Sequence, residues 1–297
     1  MAMTSTSATP TATATDQPAA AGPRRKIRIW AVVVWAVMAF FFLNLLALIA
    51  SVVVDSLGTQ WFGTWLPKSF TTHWYSDAWS EFGLSSVMVV TAQVAVTVVV
   101  VSVLIGVPAA YVLARRTFPG KRFLMILFVL PILVPPISYG IPLATVLYRV
   151  HLAGTLSGVI LANLVPSVPF VILTMTPFIE QIDPKIEAAA RMCGARTTAV
   201  FTRILAPLLV PGILAACILV LVRTVGMFEL TFLTAGPDST TLVVALYNSV
   251  FAAGIRANQS VDAMATIYTG SMLILLVVAL RFVNPTQLVT RAREETQ

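Results

Sequence analysis

Residues 84–114, LSSVMVVTAQVAVTVVVVSVLIGVPAAYVLA, form a stretch without one charged side chain. As a helix rising 1.5 Å per residue it would measure about 46 Å, against a hydrocarbon core about 30 Å thick that roughly 20 residues cross. The stretch therefore reads as a membrane span that projects beyond the bilayer, tilts, or breaks near Gly106 and Pro108. The remaining sequence agrees: of 297 residues, 58% are apolar and 10% charged, where soluble domains carry about 25% charge. A soluble enzyme and a disordered regulator are excluded. The strands of a membrane barrel alternate in polarity over about 10 residues, whereas the apolar runs here are continuous, so the expected class is an all-α membrane protein.

Working outward, residues 1–23 are mostly Ser, Thr, Ala and Pro, a composition that buries too little apolar surface to order the backbone; a disordered tail is expected. Arg24, Arg25, Lys26 and Arg28 precede an apolar run to residue 54, too long for the core of a cleaved signal peptide, so 24–54 reads as a first span with a basic flank. Residues 55–83 read as an aromatic-rich loop holding Trp61, Phe62, Trp65, Phe70, Trp74, Tyr75 and Trp79, either an interfacial belt or a docking surface. Residues 84–283 then hold five further spans, near 84–114, 123–147, 159–179, 212–233 and 264–280, with 284–297 as a tail. Six spans result.

Basic residues are enriched in short cytoplasmic loops. Fifteen of the 19 Lys and Arg fall in the two terminal segments and the second-to-third and fourth-to-fifth loops; Lys68, Arg149 and Arg256 fall on the other side, and Arg223 inside a span. Both termini are thus expected in the cytoplasm, and the net charge of +7 is explained by topology rather than by nucleic-acid binding. Cys193 and Cys217 make no disulfide framework and have no metal-ligand spacing; they read as free thiols.

The third span contains Pro131, Pro135, Pro136, Gly140 and Pro142, and the fourth Pro166, Pro169 and Pro177. Each proline removes a helical hydrogen bond, and carbonyls freed in hydrocarbon must be satisfied by protein or by a watery cavity. Two readings stand: kinks that improve packing, or a solute pathway along the third, fourth and fifth spans. Arg223 and Glu229 lie within the fifth span, about 9 Å and some 120° apart on a continuous helix, and ionisable groups at that depth face a bundle interior or cavity. Candidate pathway residues are Tyr139, Asn163, Arg223, Phe228 and Glu229, with Glu229 facing a cationic solute or each charge serving structure alone.

The most informative segment is DPKIEAAARMCGARTT, residues 183–198. Asp183 can cap a helix that has Pro184 at its first position, Gly194 can end it, and Thr197 or Thr198 can cap a second helix. On that second helix Val200, Phe201, Ile204, Leu205 and Leu208 recur at three- and four-residue spacing. Pro207 and Pro211 mark the expected turn back into the membrane.

Ala189-Ala190, three residues, Gly194, nine residues and then Ile204-Leu205-Ala206-Pro207 resemble the EAA loop of the membrane subunits of binding-protein-dependent ABC importers. Ala188 stands where the family has Glu, with Glu187 one place earlier, and Ala206 stands where it has Leu. The resemblance runs from about residue 55 to the last span. It implies the type I importer permease architecture, with residues 180–210 as a coupling loop whose Pro184, Glu187, Ala188, Ala189, Ala190, Gly194, Ile204 and Pro207 engage a cytoplasmic ATPase. The chain shows no G-x-x-x-x-G-K-[ST], H-E-x-x-H or G-x-S-x-G signature; no catalytic or metal-binding residue is expected, and ATP with Mg²⁺ would belong to the partner.

Three further stretches resemble the polyamine-type branch: Phe70-Thr71 with Trp74-Tyr75, Pro131-Ile132-Leu133-Val134-Pro135 with Gly140-Ile141, and Met227-Phe228-Glu229-Leu230. The implied assembly comprises a second, non-identical permease, two ATPase subunits and an extracytoplasmic solute-binding protein in the bacterial inner membrane. The implied solute is a polyamine or small organic cation. A sugar, iron or phosphonate importer permease remains the alternative, and a channel or secondary transporter stays open behind these.

Overall fold

The computed structural model describes residues 29–59, 67–251 and 257–282. The terminal tails, Trp61, Phe62, Trp65 and Arg256 lie outside the described residues. All regular elements among these residues are helical: α1 (Ile29–Leu57), α2 (His73–Glu81), α3 (Leu84–Arg115), α4 (Lys121–Leu133), α5 (Pro136–Arg149), α6 (Leu156–Glu180), α7 (Pro184–Met192), α8 (Thr197–Val200), α9 (Ala206–Val225), α10 (Glu229–Thr234), α11 (Leu242–Phe251) and α12 (Asn258–Phe282). Among the described residues five helices are long and apolar enough to cross a membrane, and six spans result if the bent pair α4–α5 counts as one. The chain divides into two units at Ile49 and Ala50. The first holds α1 up to Ile49; the second carries everything described below.

The core of this second unit is built by α3, α6 and α9. Val94, Val98, Val107 and Leu113 of α3 pack with Val171, Ile172, Met175 and Ile179 of α6 and with Leu209, Ala216 and Val220 of α9. Gly106 makes this possible, because a Cβ there would sit 2.6 Å from Val171 Cγ1. A smaller cluster joins Ala78 of α2, Leu84, Leu242 of α11 and Ala263 and Met264 of α12. A third joins Leu147 of α5, Ala162 of α6 and Met227 and Leu230 around the start of α10.

Several expected boundaries move. The third span is not one helix: Val134 and Pro135 take extended backbone, the conformation favoured before a proline, and α4 and α5 meet at 99°. The fourth span, with three prolines against the third span's four, stays a single helix through Pro166, Pro169 and Pro177, held by packing on α3, α4 and α9. No turn forms at Pro207 or Pro211; the helical path runs from Thr197 to Val225 and absorbs the missing Pro207 N–H in a π-helical turn, Phe201–Leu205. The fifth span ends at Val225, and Gly226 to Phe228 separate it from α10. Arg223 therefore sits in the last turn of α9 rather than mid-span, and the single-helix geometry expected between Arg223 and Glu229 does not apply. Within the 55–83 loop, α2 docks on the bundle: Trp74 Nε1 donates to Gly58 O at 2.8 Å and the Tyr75 hydroxyl pairs with Ser56 at 2.8 Å. These two rings are half-buried against the Ala78 and Leu84 cluster, whereas Phe70 and Trp79 are exposed.

Gly106→Ala should lower stability by about 1–3 kcal/mol through overpacking. Gly270→Ala, where a Cβ meets nothing within 4 Å, should be neutral or gain up to about 1 kcal/mol from helix propensity. Thermal unfolding of the two variants in the same detergent checks the pair.

Candidate functional site

The segment that follows α6 folds as a short helix, an elbow and a second helix. Asp183 Oδ1 accepts the Lys185 amide at 2.9 Å and Pro184 opens α7, a capped start of the kind the sequence implies. After Met192 the chain turns at Gly194, whose φ of +83° favours glycine, and the amides of Gly194 and Ala195 close on Arg191 O and Ala190 O at 3.0 and 3.1 Å. The second helix is capped by Arg196 without a side-chain bond, so neither Thr197 nor Thr198 caps it. Of its expected apolar stripe, Val200 and Leu205 are buried, Phe201 and Ile204 half-buried, and Leu208 exposed.

The faces of α7 are clearly divided. Pro184, Ile186, Ala188, Ala189 and Met192 are exposed, Met192 to 87%, while Ala190 is half-buried and Glu187 is 4% exposed. The small and apolar side chains thus form a free surface. Glu187, expected on that surface, turns inward instead: its carboxylate accepts from Tyr111 Oη at 2.8 Å and Arg115 Nε at 2.7 Å, both on α3, and from Arg191 Nη2 at 3.4 Å. The physical reason is the helix period, which puts position 187 on the face opposite Ile186, Ala189 and Met192, where two α3 donors await it. Pro207 is exposed at the start of α9 and Ile204 lies in the π-helical turn.

Of the candidate pathway residues, three come together. The Tyr139 hydroxyl is buried without a hydrogen-bond partner, and the charges of both Arg223 and Glu229 reach it. Arg223 also lies 5.6 Å from the Phe170 ring centroid, a cation–π distance. Asn163 belongs elsewhere: at 1% exposure it donates to Val159 O at 2.9 Å and to Thr231 Oγ1 at 3.2 Å, joining α6 to α10. Phe228 enters an aromatic row with Phe232, Tyr247 and Phe251, successive centroids 4.5 to 5.3 Å apart; the last three rings are at least 37% exposed. Sequence reasoning missed this row, although Phe228–Phe232 and Tyr247–Phe251 both have the i, i+4 spacing of one helix face. It also missed Tyr111 and Arg115, which share that spacing at the end of an apolar run.

Residues 102–287 match the family model described as "Binding-protein-dependent transport system inner membrane component". The chain is 31% identical over 225 residues to the trehalose transport system permease protein SugB of Mycobacterium tuberculosis, covering 75% of this chain and 82% of that protein. It is 34% identical to a probable molybdenum ABC transporter permease protein of Haloferax volcanii, covering 53% of this chain and 61% of that one. It is 31% identical to the molybdenum transport permease ModB of Escherichia coli K12, covering 55% and 78%. Among solved structures, a bacterial ABC transporter involved in import of the acidic polysaccharide alginate is similar in fold, with a TM-score of 0.72 at 20% identity over 86% of this chain and 97% of that one. The chain belongs to the binding-protein-dependent ABC transport family, as an integral inner-membrane permease component.

Proposed function

We propose that this chain forms half of the solute pathway of an ATP-driven sugar importer. The observation that carries the substrate class is the aromatic row of half-buried Phe228 with exposed Phe232, Tyr247 and Phe251. Aromatic faces are electron-rich and attract the C–H faces of a sugar ring, while Arg223, Glu229 and the Tyr139 hydroxyl supply polar partners in the same part of the fold. The names of the trehalose permease and the alginate transporter support this class. Molybdenum permeases favour a second reading, an oxyanion drawn by Arg223. The polyamine expectation rests on the three stretches that resemble that branch and on Glu229 as a negative site; Arg223 acts on the same hydroxyl as Glu229 with the opposite sign, and none of the relatives named above bears a polyamine name.

The distribution of Lys and Arg favours cytoplasmic termini, with α7 and the Gly194 elbow on the same side. In that orientation the exposed face of Ile186, Ala188, Ala189 and Met192 enters a groove on an ATPase subunit. ATP and Mg²⁺ are bound by that partner. A second permease completes the pathway and an external binding protein delivers the solute.

In a strain lacking this gene, uptake of labelled trehalose and maltose should fall at least tenfold while molybdate, sulfate and putrescine uptake stay unchanged. Phe228→Ala with Phe232→Ala should fail to restore sugar uptake; unchanged sugar uptake in the deletion strain would overturn the proposal, and selective loss of molybdate would install the oxyanion reading.

Tyr139→Phe removes a hydroxyl with no protein bond to lose, so thermal stability should hold or rise, while the KM for the transported sugar should rise about tenfold, about 1.4 kcal/mol of binding.

Gly194→Pro cannot adopt the positive φ, and the ATPase that copurifies with the wild-type chain should be lost.

A further inference from the structure

Glu187 is the one buried residue of α7. Of its apolar side chains Ala190 alone, half-buried, packs on the α3–α6–α9 cluster, so burial contributes little to holding it on the bundle. Its polar attachment converges on Arg115 and Tyr111, one helical turn apart at the end of α3. Arg115 uses two arms: Nε donates to Glu187 Oε1 at 2.7 Å, and Nη2 donates to Ile182 O at 2.7 Å, the carbonyl just before the Asp183 cap. One guanidinium thereby fixes the helix at two points, which sets its direction as well as its position. Tyr111 donates to Glu187 Oε2 at 2.8 Å and lies edge-on to Phe201, with centroids 5.4 Å apart. Its ring therefore touches the segment on both sides of the Gly194 elbow. The Arg115 and Glu187 side chains are 13% and 6% exposed, so the pair is shielded and costly to leave half-made.

We infer that Arg115 and Tyr111 are positioning residues that clasp α7 to α3 through Glu187, so that motion imposed on the exposed face of α7 is delivered to the α3–α6–α9 core instead of being absorbed in the loop. In this arrangement Glu187 is a link inside the chain and not a contact with the ATPase. The clasp is local geometry; its role in transport rests on the importer reading above.

Two measurements separate the clasp from that reading. On the purified full-length chain in detergent, Arg115→Lys keeps the charge but loses the fork. Amide hydrogen exchange at residues 184–192 should speed up at least tenfold, with exchange in α6 unchanged. Tyr111→Phe, a milder deletion, should give a smaller acceleration in the same segment. Unchanged exchange in both variants would overturn the clasp whatever the protein transports. In the assembled transporter, Arg115→Lys and Glu187→Gln should each retain the ATPase and its hydrolysis while solute moved per ATP falls about tenfold, and the double variant should be no worse than the poorer single one. Loss of the ATPase with Glu187→Gln alone would make Glu187 a partner contact, and additive losses would show two independent roles; either result overturns the inference. A wild-type chain that recruits no ATPase would sink the importer reading and leave the exchange result standing.

Discussion

The contact between α3 and α6 at Gly106 and Val171 governs what the rest of the second unit can do. A methyl group cannot fit there, and the two helices approach closely enough for their valines, isoleucines and Met175 to interlock with α9. In a bilayer, where lipid tails offer as apolar a surface as leucine, such close packing of small residues stands in for the hydrophobic effect. It also explains why Pro166 and Pro169 leave α6 continuous, since neighbours on three sides hold the helix where its own hydrogen bonds are missing.

Away from that contact the backbone breaks twice, and the breaks assemble polar residues. Val134 and Pro135 end α4, and Gly226 to Phe228 end α9. Beyond these breaks α5 and α10 pack on each other: a Cβ at Gly140 would meet Leu233 at 2.8 Å and Leu230 at 3.1 Å. Tyr139 precedes that glycine, Glu229 precedes Leu230, and Arg223 closes the last turn of α9. The two chain breaks therefore bring Tyr139 of α5 into the reach of Arg223 and Glu229, which flank the break that ends α9.

Much of this was legible in the sequence, and the failures share a cause. Uncharged runs of bilayer length announced the helices, and the Asp183 cap, Pro184 and Gly194 announced α7 and its elbow, because these signals depend on local backbone chemistry. Proline was a poor guide: it broke the third span but not the fourth, and in the helix after the Gly194 elbow a π-helical turn formed rather than a bend. Its outcome depends on packing by distant segments, which a single chain read in order does not display. Glu187 shows the same limit. The helix period separates it from Ile186, Ala189 and Met192, but only the end of α3, 72 residues earlier in the chain, reveals that its face points inward. Phe232, Tyr247 and Phe251 were passed over because an aromatic in a membrane span has many ordinary uses, and only their succession in space makes a row.

The two polar sites differ in how completely their groups are satisfied, and that difference suits opposite mechanical tasks. Around Glu187 each carboxylate oxygen has donors, and the principal guanidinium is engaged at two points; a shielded network with its bonds made resists rearrangement. Around Arg223 the hydroxyls of Tyr139 and of the adjacent Thr224 are buried with no partner, and an unsatisfied buried hydroxyl is a standing free-energy cost that a new bond relieves. A fully bonded site loses by moving, whereas an under-bonded one gains by accepting a new partner or by shifting towards another conformation. Stiffness at the α7 end of α3 and adaptability beside the α9–α10 break are therefore complementary: the first groups have no alternative partner to seek, and the second still lack one.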